Sequence, residues 1–318
     1  MQVIHLRYPL DQNITYSAAV LAIGTFDGVH VGHREVLGRA MQLSAKLHVS
    51  SAAMTFDPHP REVLGRKTDG EYLTPLAEKL RQFEQCGLDI AYVVHFDQQL
   101  AQLAPRDFVE RFLIPLQVKG IVVGYNYAFG HKASGTTEDL IHLGQGRYEV
   151  DIVQPVQLKA QHVSSTTIRE LLKQGDMGRA ADLLGRPYAV DGEVVHGKGR
   201  GGKLLGFPTA NLQLCGSYAV PRVGVYIVRV DTLSGTRYGA MSIGFNPTFD
   251  DQMPVPSLEV HLLDVDEDLY GQTLRIHFLH YLRPEKKFND VSELIAQMQK
   301  DVADTRAWGE REQAQLKG

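Results

Sequence analysis

The sequence predicts a two-domain protein, a parallel α/β domain followed by a mainly β domain. The length of 318 residues suits about two domains. Up to about residue 185, short apolar runs alternate with helical patterns, which is typical of a parallel sheet with crossover helices. Beyond that point, strand-like runs follow one another with turn residues between them, which is typical of an antiparallel barrel or sandwich. Because Gly185 and Pro187 form a strong helix-stop signal, we expect domains at 1–185 and 186–318.

In the first domain, apolar runs predict strands and amphipathic runs predict helices. The predicted strands are 18–23, 49–56, 90–96, 120–124 and 148–153. The predicted helices are 34–47, 75–87, 105–113 and 136–143, with two more that begin at Ser164 and Asp176. In the helix 34–47, Val36, Leu37 and Ala40 fall on one face, as a helix that packs on a sheet requires. In such sheets, ligands bind at the carboxyl ends of the strands.

In the second domain, short alternating runs predict strands, and the last periodic segment predicts a helix. The predicted strands are 188–195, 224–230, 238–243, 257–263 and 274–282, and the predicted terminal helix is 291–302. Turn residues such as Ser234-Gly235 and Tyr270-Gly271 separate these runs.

Composition indicates an ordinary globular protein and argues against nucleic-acid or membrane partners. The hydrophobic fraction is 43% and the charged fraction 22%, and the net charge of −4 leaves no basic surface for nucleic acid. No apolar run approaches the roughly 18 residues that span a bilayer, and the N-terminus lacks a signal-peptide pattern. Cys86 and Cys215 are the only cysteines, which fits a reducing compartment. We therefore expect a cytoplasmic protein.

The segment 24–33, Gly-Thr-Phe-Asp-Gly-Val-His-Val-Gly-His, is the most informative in the chain. It follows a predicted strand and opens a predicted helix. His30 and His33 are therefore expected on one side of the first helical turn. The backbone N–H groups of that turn have no partner within the helix. Such a site can hold a phosphate group and neutralise its developing charge. The alternative is a tight turn with two solvated histidines. We favour a phosphate-handling site.

Four later segments extend this motif, namely 55–60 (Thr-Phe-Asp-Pro-His-Pro), 124–130, 164–169 (Ser-Ser-Thr-Thr-Ile-Arg) and 206–211 (Gly-Phe-Pro-Thr-Ala-Asn). In this order the five segments resemble the motifs of the bifunctional bacterial riboflavin kinase/FMN adenylyltransferases, the prokaryotic FAD synthetases. The resemblance covers about 18–301. It implies a Rossmann-like nucleotidyltransferase domain and a riboflavin kinase domain built on a six-stranded barrel with a terminal helix.

The resemblance also implies the reactions. The second domain would phosphorylate riboflavin to FMN with ATP, and the first would transfer AMP from a second ATP to FMN, which gives FAD and pyrophosphate. The implied partners are riboflavin, FMN, ATP and Mg²⁺, and the sequence leaves a homo-oligomer open. Two alternatives remain. One is a riboflavin kinase whose other module is degenerate or transfers another nucleotide, such as CMP. The other is a flavin-sensing or flavin-delivery protein without catalysis.

For the first domain, the resemblance implies that His30 and His33 are catalytic donors to phosphoryl oxygens. The residues implied to bind the nucleotide are Gly24, Phe26, Asp27, Gly28, Ser164, Ser165, Thr166 and Arg169. Those implied to line the flavin side are Asp57, His59 and Asn126. The chain departs from many relatives at Asn126, where they carry Asp, and at Thr167, where they carry Arg.

In the second domain, residues 197–202 match the pattern GxGxxG, but no helix pattern follows, so a dinucleotide site is excluded. A loop that cradles phosphate with its backbone N–H groups is the better interpretation. Its nucleotide-binding residues would be Gly197, Lys198, Gly199 and Arg200. The resemblance further implies Thr209 and Asn211 as Mg²⁺ ligands, Glu259 as the catalytic base, and Asn246 and Arg283 as flavin contacts.

Overall fold

The computed structural model describes residues 1–65, 71–159, 161–196, 208–245, 256–265, 267–288 and 290–317. The chain forms two compact units, Met1–Ser165 and Thr166–Gly318. The division between the units lies before residue 185, where the sequence pattern changes. The domain boundary at residue 185 stays a prediction. Within the described ranges, no helix combines the length and the apolar character needed to cross a membrane.

The first unit is built on a parallel sheet, as predicted, and the sheet has six strands. Its strands are β1 (Gln2–Leu6), β2 (Ala19–Ile23), β3 (Ser50–Asp57), β4 (Ile90–His95), β5 (Val118–Gly124) and β6 (Glu149–Val153), in the order β1-β4-β3-β2-β5-β6. The edge strand β1 was not predicted, because Leu6 is its only fully buried residue and the apolar signal is weak. A short antiparallel pair, β7 (Gln157–Leu158) and β8 (Gln161–His162), follows the sheet.

Helices cover both faces of this sheet. They are α1 (Val31–Leu47), α2 (Pro60–Val63), α3 (Leu76–Cys86), α4 (Gln98–Ala101), α5 (Pro105–Phe108) and α6 (Thr137–Gly144), with a π-helical turn at Val109–Leu113 and 3-10 turns at Ile114–Leu116 and His131–Ala133. On one face, Val20 and Ala22 of β2 pack with Val36 and Leu37 of α1. The alternate residues of β2, Ala19, Leu21 and Ile23, pack in a second core on the other face. This double coverage explains why β2 reads as a continuous apolar run.

The second unit is a closed antiparallel barrel with flanking helices. Helix α7 (Ser165–Gln174) starts at the unit boundary, and α8 (Met177–Leu184) precedes the strands. The strands are β9 (Tyr188–Val195), β10 (Ala210–Leu214), β11 (Gly224–Thr232), β12 (Gly235–Phe245), β13 (Pro256–Leu262) and β14 (Thr273–Arg283), and the helix α9 (Val291–Lys317) ends the chain. The barrel order is β10-β13-β12-β11-β14-β9. This architecture confirms the predicted six-stranded barrel.

Two elements of the second unit differ from the sequence expectation. Residues Ala210–Leu214 form the strand β10, which is missing from the predicted strands. The terminal helix continues to Lys317, well past the predicted end at 302. It is anchored by Asp301, which is 5% exposed and accepts hydrogen bonds from the Arg283 guanidinium at 2.7 to 3.2 Å.

Close packing at the start of β11 makes Gly224 sensitive to substitution. Its φ of +148° lies in the region that side chains with a Cβ avoid, and an added Cβ would lie 2.5 Å from the Arg283 carbonyl oxygen. We expect Gly224→Ala to destabilise the barrel by about 2–4 kcal/mol, because it adds backbone strain to overpacking. Urea unfolding followed by the fluorescence of Trp308, the single tryptophan of the chain, measures this unit.

Gly178→Ala is the matched control. Gly178 lies in α8 of the same unit, and no atom lies closer than 4.0 Å to the position of an added Cβ. The control variant should unfold at the wild-type urea concentration or slightly above it, since alanine favours helix. Equal midpoints for Gly224→Ala and the wild type would contradict the packing described for β11.

Candidate active sites

The turn between β2 and α1 is fixed by the sheet that precedes it. All five residues of β2 are buried at the centre of the sheet, and the Gly24 amide donates a hydrogen bond to the Met54 carbonyl of β3 at 3.1 Å. Gly28 adopts a φ of +93°, which favours glycine at this position. The turn therefore leaves the carboxyl end of β2 along a defined path into α1.

The Asp27 carboxylate anchors this turn from inside the protein. Asp27 is 3% exposed, and its Oδ1 accepts a hydrogen bond from the Thr74 amide at 3.1 Å. The Gly28 amide donates to the Thr74 hydroxyl at 2.8 Å, and the Ser165 hydroxyl donates to the Asp27 carbonyl at 2.8 Å. Thr74, which precedes α3, thus holds two successive residues of the turn, and sequence reasoning missed it.

His30 and His33 form a stacked pair at the N-terminus of α1. His30 is the N-cap residue, and its Nδ1 accepts a hydrogen bond from the His33 amide at 3.1 Å. The ring centroids lie 3.5 Å apart with an interplanar angle of 13°. Because Nδ1 accepts a hydrogen bond, the ring proton of a neutral His30 resides on Nε2, which is then the donor. The HxGH spacing thus gives α1 its cap and brings both rings together.

Gly32 and Phe26 of the same motif support the two histidine rings. A Cβ at Gly32 would lie 3.3 Å from the His30 ring, so glycine leaves room for the stack. Phe26 is 1% exposed, and its ring makes edge contacts at 5.4 Å with both His33 and Phe83 of α3. Phe26 therefore supports the His33 ring from the core.

The predicted flavin-side residues follow the two strands next to β2. Asp57 ends β3, and the Nδ1 of His59, just beyond, accepts a hydrogen bond from the Arg61 amide at 3.1 Å. Burial is the main cause that lowers the pKa of His59, and the cations Lys79 and Arg61 lower it further, while Asp27 opposes them. Asn126 is exposed in the turn after β5. Since β2, β3 and β5 are parallel neighbours, all three turns emerge at one edge of the sheet.

Lys79 lies beneath this edge, and sequence reasoning missed it as well. It is 3% exposed on α3, and its Nζ donates a hydrogen bond to the Thr55 hydroxyl of β3 at 3.1 Å. Burial lowers the pKa of Lys79 to about 8, against the opposing charges of Asp27 and Asp57. A lysine in an amphipathic helix pattern is normally solvated, so the sequence carries no signal for its burial.

In the second unit, the strand register brings the predicted base next to a predicted metal ligand. Glu259 of β13 lies directly opposite Asn211 of β10 and opposite Ser242 of β12. Residues directly opposite each other share a face, with Cβ atoms about 5 Å apart. The flanking residues Leu258 and Val260 are 4% and 0% exposed, so Glu259 and Asn211 project from the outer face of the barrel wall.

A further polar residue belongs to this outward row, and another lies just before it in the chain. His261 follows Glu259 by two positions in β13, so the alternation of the strand places it on the same side, and Thr209 lies in the segment directly before β10. The Nδ1 of His261 lies 2.8 Å from the Pro208 carbonyl oxygen, which ties β13 to the segment that carries Thr209. Sequence reasoning missed His261 and Ser242, because only the register reveals them.

The remaining predicted residues have separate placements. Thr166 and Arg169 lie on α7 in the second unit, with Ser164 and Ser165 at the end of the first. Arg283 directs its guanidinium to Asp301, which gives it a structural role in holding α9. The predicted residues Gly197, Lys198, Gly199, Arg200 and Asn246 lie outside the described residues.

Comparison with known proteins matches a different family model to each half of the chain. The family model described as FAD synthetase matches residues 13–167, and that described as riboflavin kinase matches residues 184–309. A bifunctional riboflavin kinase/FMN adenylyltransferase from Listeria monocytogenes is 41% identical, over 97% of this chain and 98% of its own length. A protein of the same name from Bacillus subtilis is 38% identical over 95% of this chain and 96% of its own.

A solved structure extends the likeness to the fold. The crystal structure of a Streptococcus pneumoniae protein, described as a macrolide-efflux protein, superposes with a TM-score of 0.87 at 33% identity. The match covers 96% of this chain and 99% of the pneumococcal one. With the two family models and the full-length relatives, these matches show that the chain belongs to the bifunctional riboflavin kinase/FMN adenylyltransferase family.

Proposed function

We propose that the two reactions of this bifunctional enzyme fall to separate sets of residues. The enzyme phosphorylates riboflavin with ATP to give FMN and then joins the AMP of a second ATP to FMN, which gives FAD and pyrophosphate. The turn 24–33 carries the adenylyl transfer, and the outward row of β10 and β13 carries the phosphoryl transfer. The observation that supports the first assignment best is the stacked His30–His33 pair at the N-terminus of α1.

In adenylyl transfer, a phosphate oxygen of FMN attacks the α-phosphorus of ATP and the bond to pyrophosphate breaks. The protein mainly positions the reactants and neutralises the charge of the transition state. His30 Nε2 donates to a phosphoryl oxygen, and His33 serves as a second donor beside it. The positive end of the α1 dipole adds to this field. Asp57, His59 and Asn126 border the flavin, and Ser164 and Ser165 of the same unit bind the leaving pyrophosphate. The nucleotide contacts of Thr166 and Arg169 stay predictions.

In phosphoryl transfer, the 5′-hydroxyl of riboflavin attacks the γ-phosphorus of ATP, and the bond between that phosphorus and the β-phosphate oxygen breaks to release ADP. Glu259 accepts the hydroxyl proton as the general base. The Thr209 hydroxyl and the Asn211 carbonyl are hard oxygen donors two positions apart, a set that suits Mg²⁺. We assign these two residues as ligands of a Mg²⁺ ion, which neutralises phosphate charge when bound. The nucleotide contacts of residues 197–200 and the flavin contact of Asn246 stay predictions. So does the flavin contact of Arg283, whose guanidinium is bound to Asp301.

Cytoplasmic location, the use of Mg²⁺ and a homo-oligomeric assembly are parts of the same proposal. The first rests on the cysteine content, and the second on the donor chemistry of Thr209 and Asn211. No residue contact carries the third, so it stays open to measurement of the mass in solution.

The double variant His30→Ala, His33→Ala separates the two reactions. We expect FAD formation from FMN and ATP to fall about 10³-fold or more, because two donors to the transition-state charge are removed. FMN formation from riboflavin should stay within about twofold of the wild type. Chromatography of the flavins measures both rates, and circular dichroism verifies that the variant is folded, since His30 also caps α1.

The matched control replaces the exposed histidines His5 and His142 of the same unit with alanine. It removes the same side chains and should form FAD at the wild-type rate. Loss of both reactions in a folded His30→Ala, His33→Ala protein would contradict the assignment of one reaction to each site.

Glu259→Gln tests the second site in the opposite direction. Because the amide cannot accept the hydroxyl proton, we expect FMN formation to fall about 10²–10⁴-fold. FAD formation from supplied FMN should not change. Glu193→Gln is the control, since Glu193 is an exposed strand residue of the same barrel. An active Glu259→Gln enzyme would remove Glu259 from the mechanism.

A further inference from the structure

We propose that Lys79 is a positioning residue for adenylyl transfer. It holds the turn 24–33, called here the catalytic turn, in place through the Thr55 hydroxyl and through its charge beside Asp27 and Asp57. The proposal rests on the assignment of adenylyl transfer to the turn 24–33. It concerns a residue of α3 that belongs to none of the motifs of this site.

A hydrogen-bonded chain connects Lys79 to the turn. The ammonium donates to the Thr55 hydroxyl at 3.1 Å, and that hydroxyl donates to the Thr25 carbonyl at 3.1 Å. Thr25 lies within the catalytic turn, two residues before the anchored Asp27. A side chain without an N–H group at position 79, such as methionine, would leave the Thr55 oxygen without this donor.

The ammonium also supplies the positive charge that faces two carboxylates. Asp27 of the turn and Asp57 at the end of β3 both stabilise its charged form. Asp27 is 3% exposed, and burial of a carboxylate is costly unless hydrogen bonds or an opposite charge compensate it. The Thr74 amide supplies one hydrogen bond, and Lys79 supplies the charge. Without Lys79, the turn would have to move Asp27 towards water.

The other charged groups around α3 are occupied elsewhere. Arg34 of α1 donates to the Gln82 amide oxygen at 2.9 Å, and the Gln82 amide donates to Glu78 at 2.9 Å. Arg81 pairs with Glu78. The His59 ring is the titratable neighbour on the flavin side, and the Lys79 charge lowers its pKa. The charge state of Lys79 therefore acts on the turn and on the flavin side of the same site.

A lysine that only filled space would tolerate loss of its proton. A positioning role predicts that adenylyl transfer requires the ammonium. The ammonium is present below its pKa of about 8 and is lost as the pH rises through that value. In the wild-type enzyme, kcat for FAD formation should therefore fall above pH 8, up to tenfold per pH unit. Phosphoryl transfer in the second unit should show no decline with this midpoint.

Two variants test whether Lys79 causes this decline. Lys79→Arg keeps a charge at every accessible pH, so the decline should move above about pH 10. Lys79→Met keeps the length of the chain but removes the charge. It should lower kcat for FAD formation about 10²-fold, with KM for FMN changed less than about threefold, because the reacting groups are misplaced rather than unbound. Lys46→Met, an exposed α1 lysine, is the control and should behave as wild type.

The outcomes separate the proposal from the function on which it rests. A wild-type protein that forms no FAD would refute the adenylyl-transfer assignment itself. A wild-type protein that forms FAD at a rate independent of pH between 7 and about 9.5 would overturn the role of Lys79 alone. A folded Lys79→Met variant with wild-type kcat for FAD formation would also overturn the role of Lys79. If Lys79→Met does not fold, the wild-type profile and Lys79→Arg still decide.

Discussion

Parallel pairing of the six strands is the constraint on which the first active site depends. Because neighbouring strands run in the same direction, the turns after β2, β3 and β5 emerge at one edge of the sheet. The chain can therefore bring His30, Asp57 and Asn126 to that edge although they are far apart in sequence. Each turn is then fixed locally, and the turn after β2 is fixed by the buried Asp27 and its Thr74 partner.

The second site follows from a different constraint. Closure of the antiparallel barrel sets the register of β10, β13 and β12, and the register sets which side chains face one another. Asn211 and Glu259 meet because they are opposite in the ladder, on the face turned away from the apolar interior. One chain therefore combines a site made of strand ends with a site made of strand faces. Each arrangement suits phosphate chemistry, since each gathers donors or hard oxygen ligands on rigid elements.

Local patterns in the sequence were sufficient for much of this structure. The alternation of apolar runs and helical patterns predicted the parallel sheet, and the HxGH spacing predicted a histidine pair at a helix start. The edge strand β1 and the strand β10 were missed because neither carries a strong apolar alternation. The terminal helix was predicted too short because its last turns are polar.

The residues that sequence reasoning missed depend on contacts between distant segments. The burial of Lys79 is compensated by the Thr55 hydroxyl and by the charges of Asp27 and Asp57, which lie on other segments and leave no trace in the pattern of its helix. Nothing in the sequence distinguishes Thr74 from other threonines, and only the fold shows that its amide binds the Asp27 carboxylate. His261 and Ser242 enter the second site only through the register. Candidate motif residues could thus be proposed from the sequence, whereas the residues that contact them could be identified only from the fold.

The most direct test of the two-site account is to follow the flavins over time in the wild-type protein. Pure enzyme is incubated with riboflavin, ATP and Mg²⁺, and the products are separated by chromatography. The account predicts that FMN appears first and that FAD follows as FMN accumulates, with release of pyrophosphate. Riboflavin that stays unchanged, together with supplied FMN that is not converted to FAD, would contradict it.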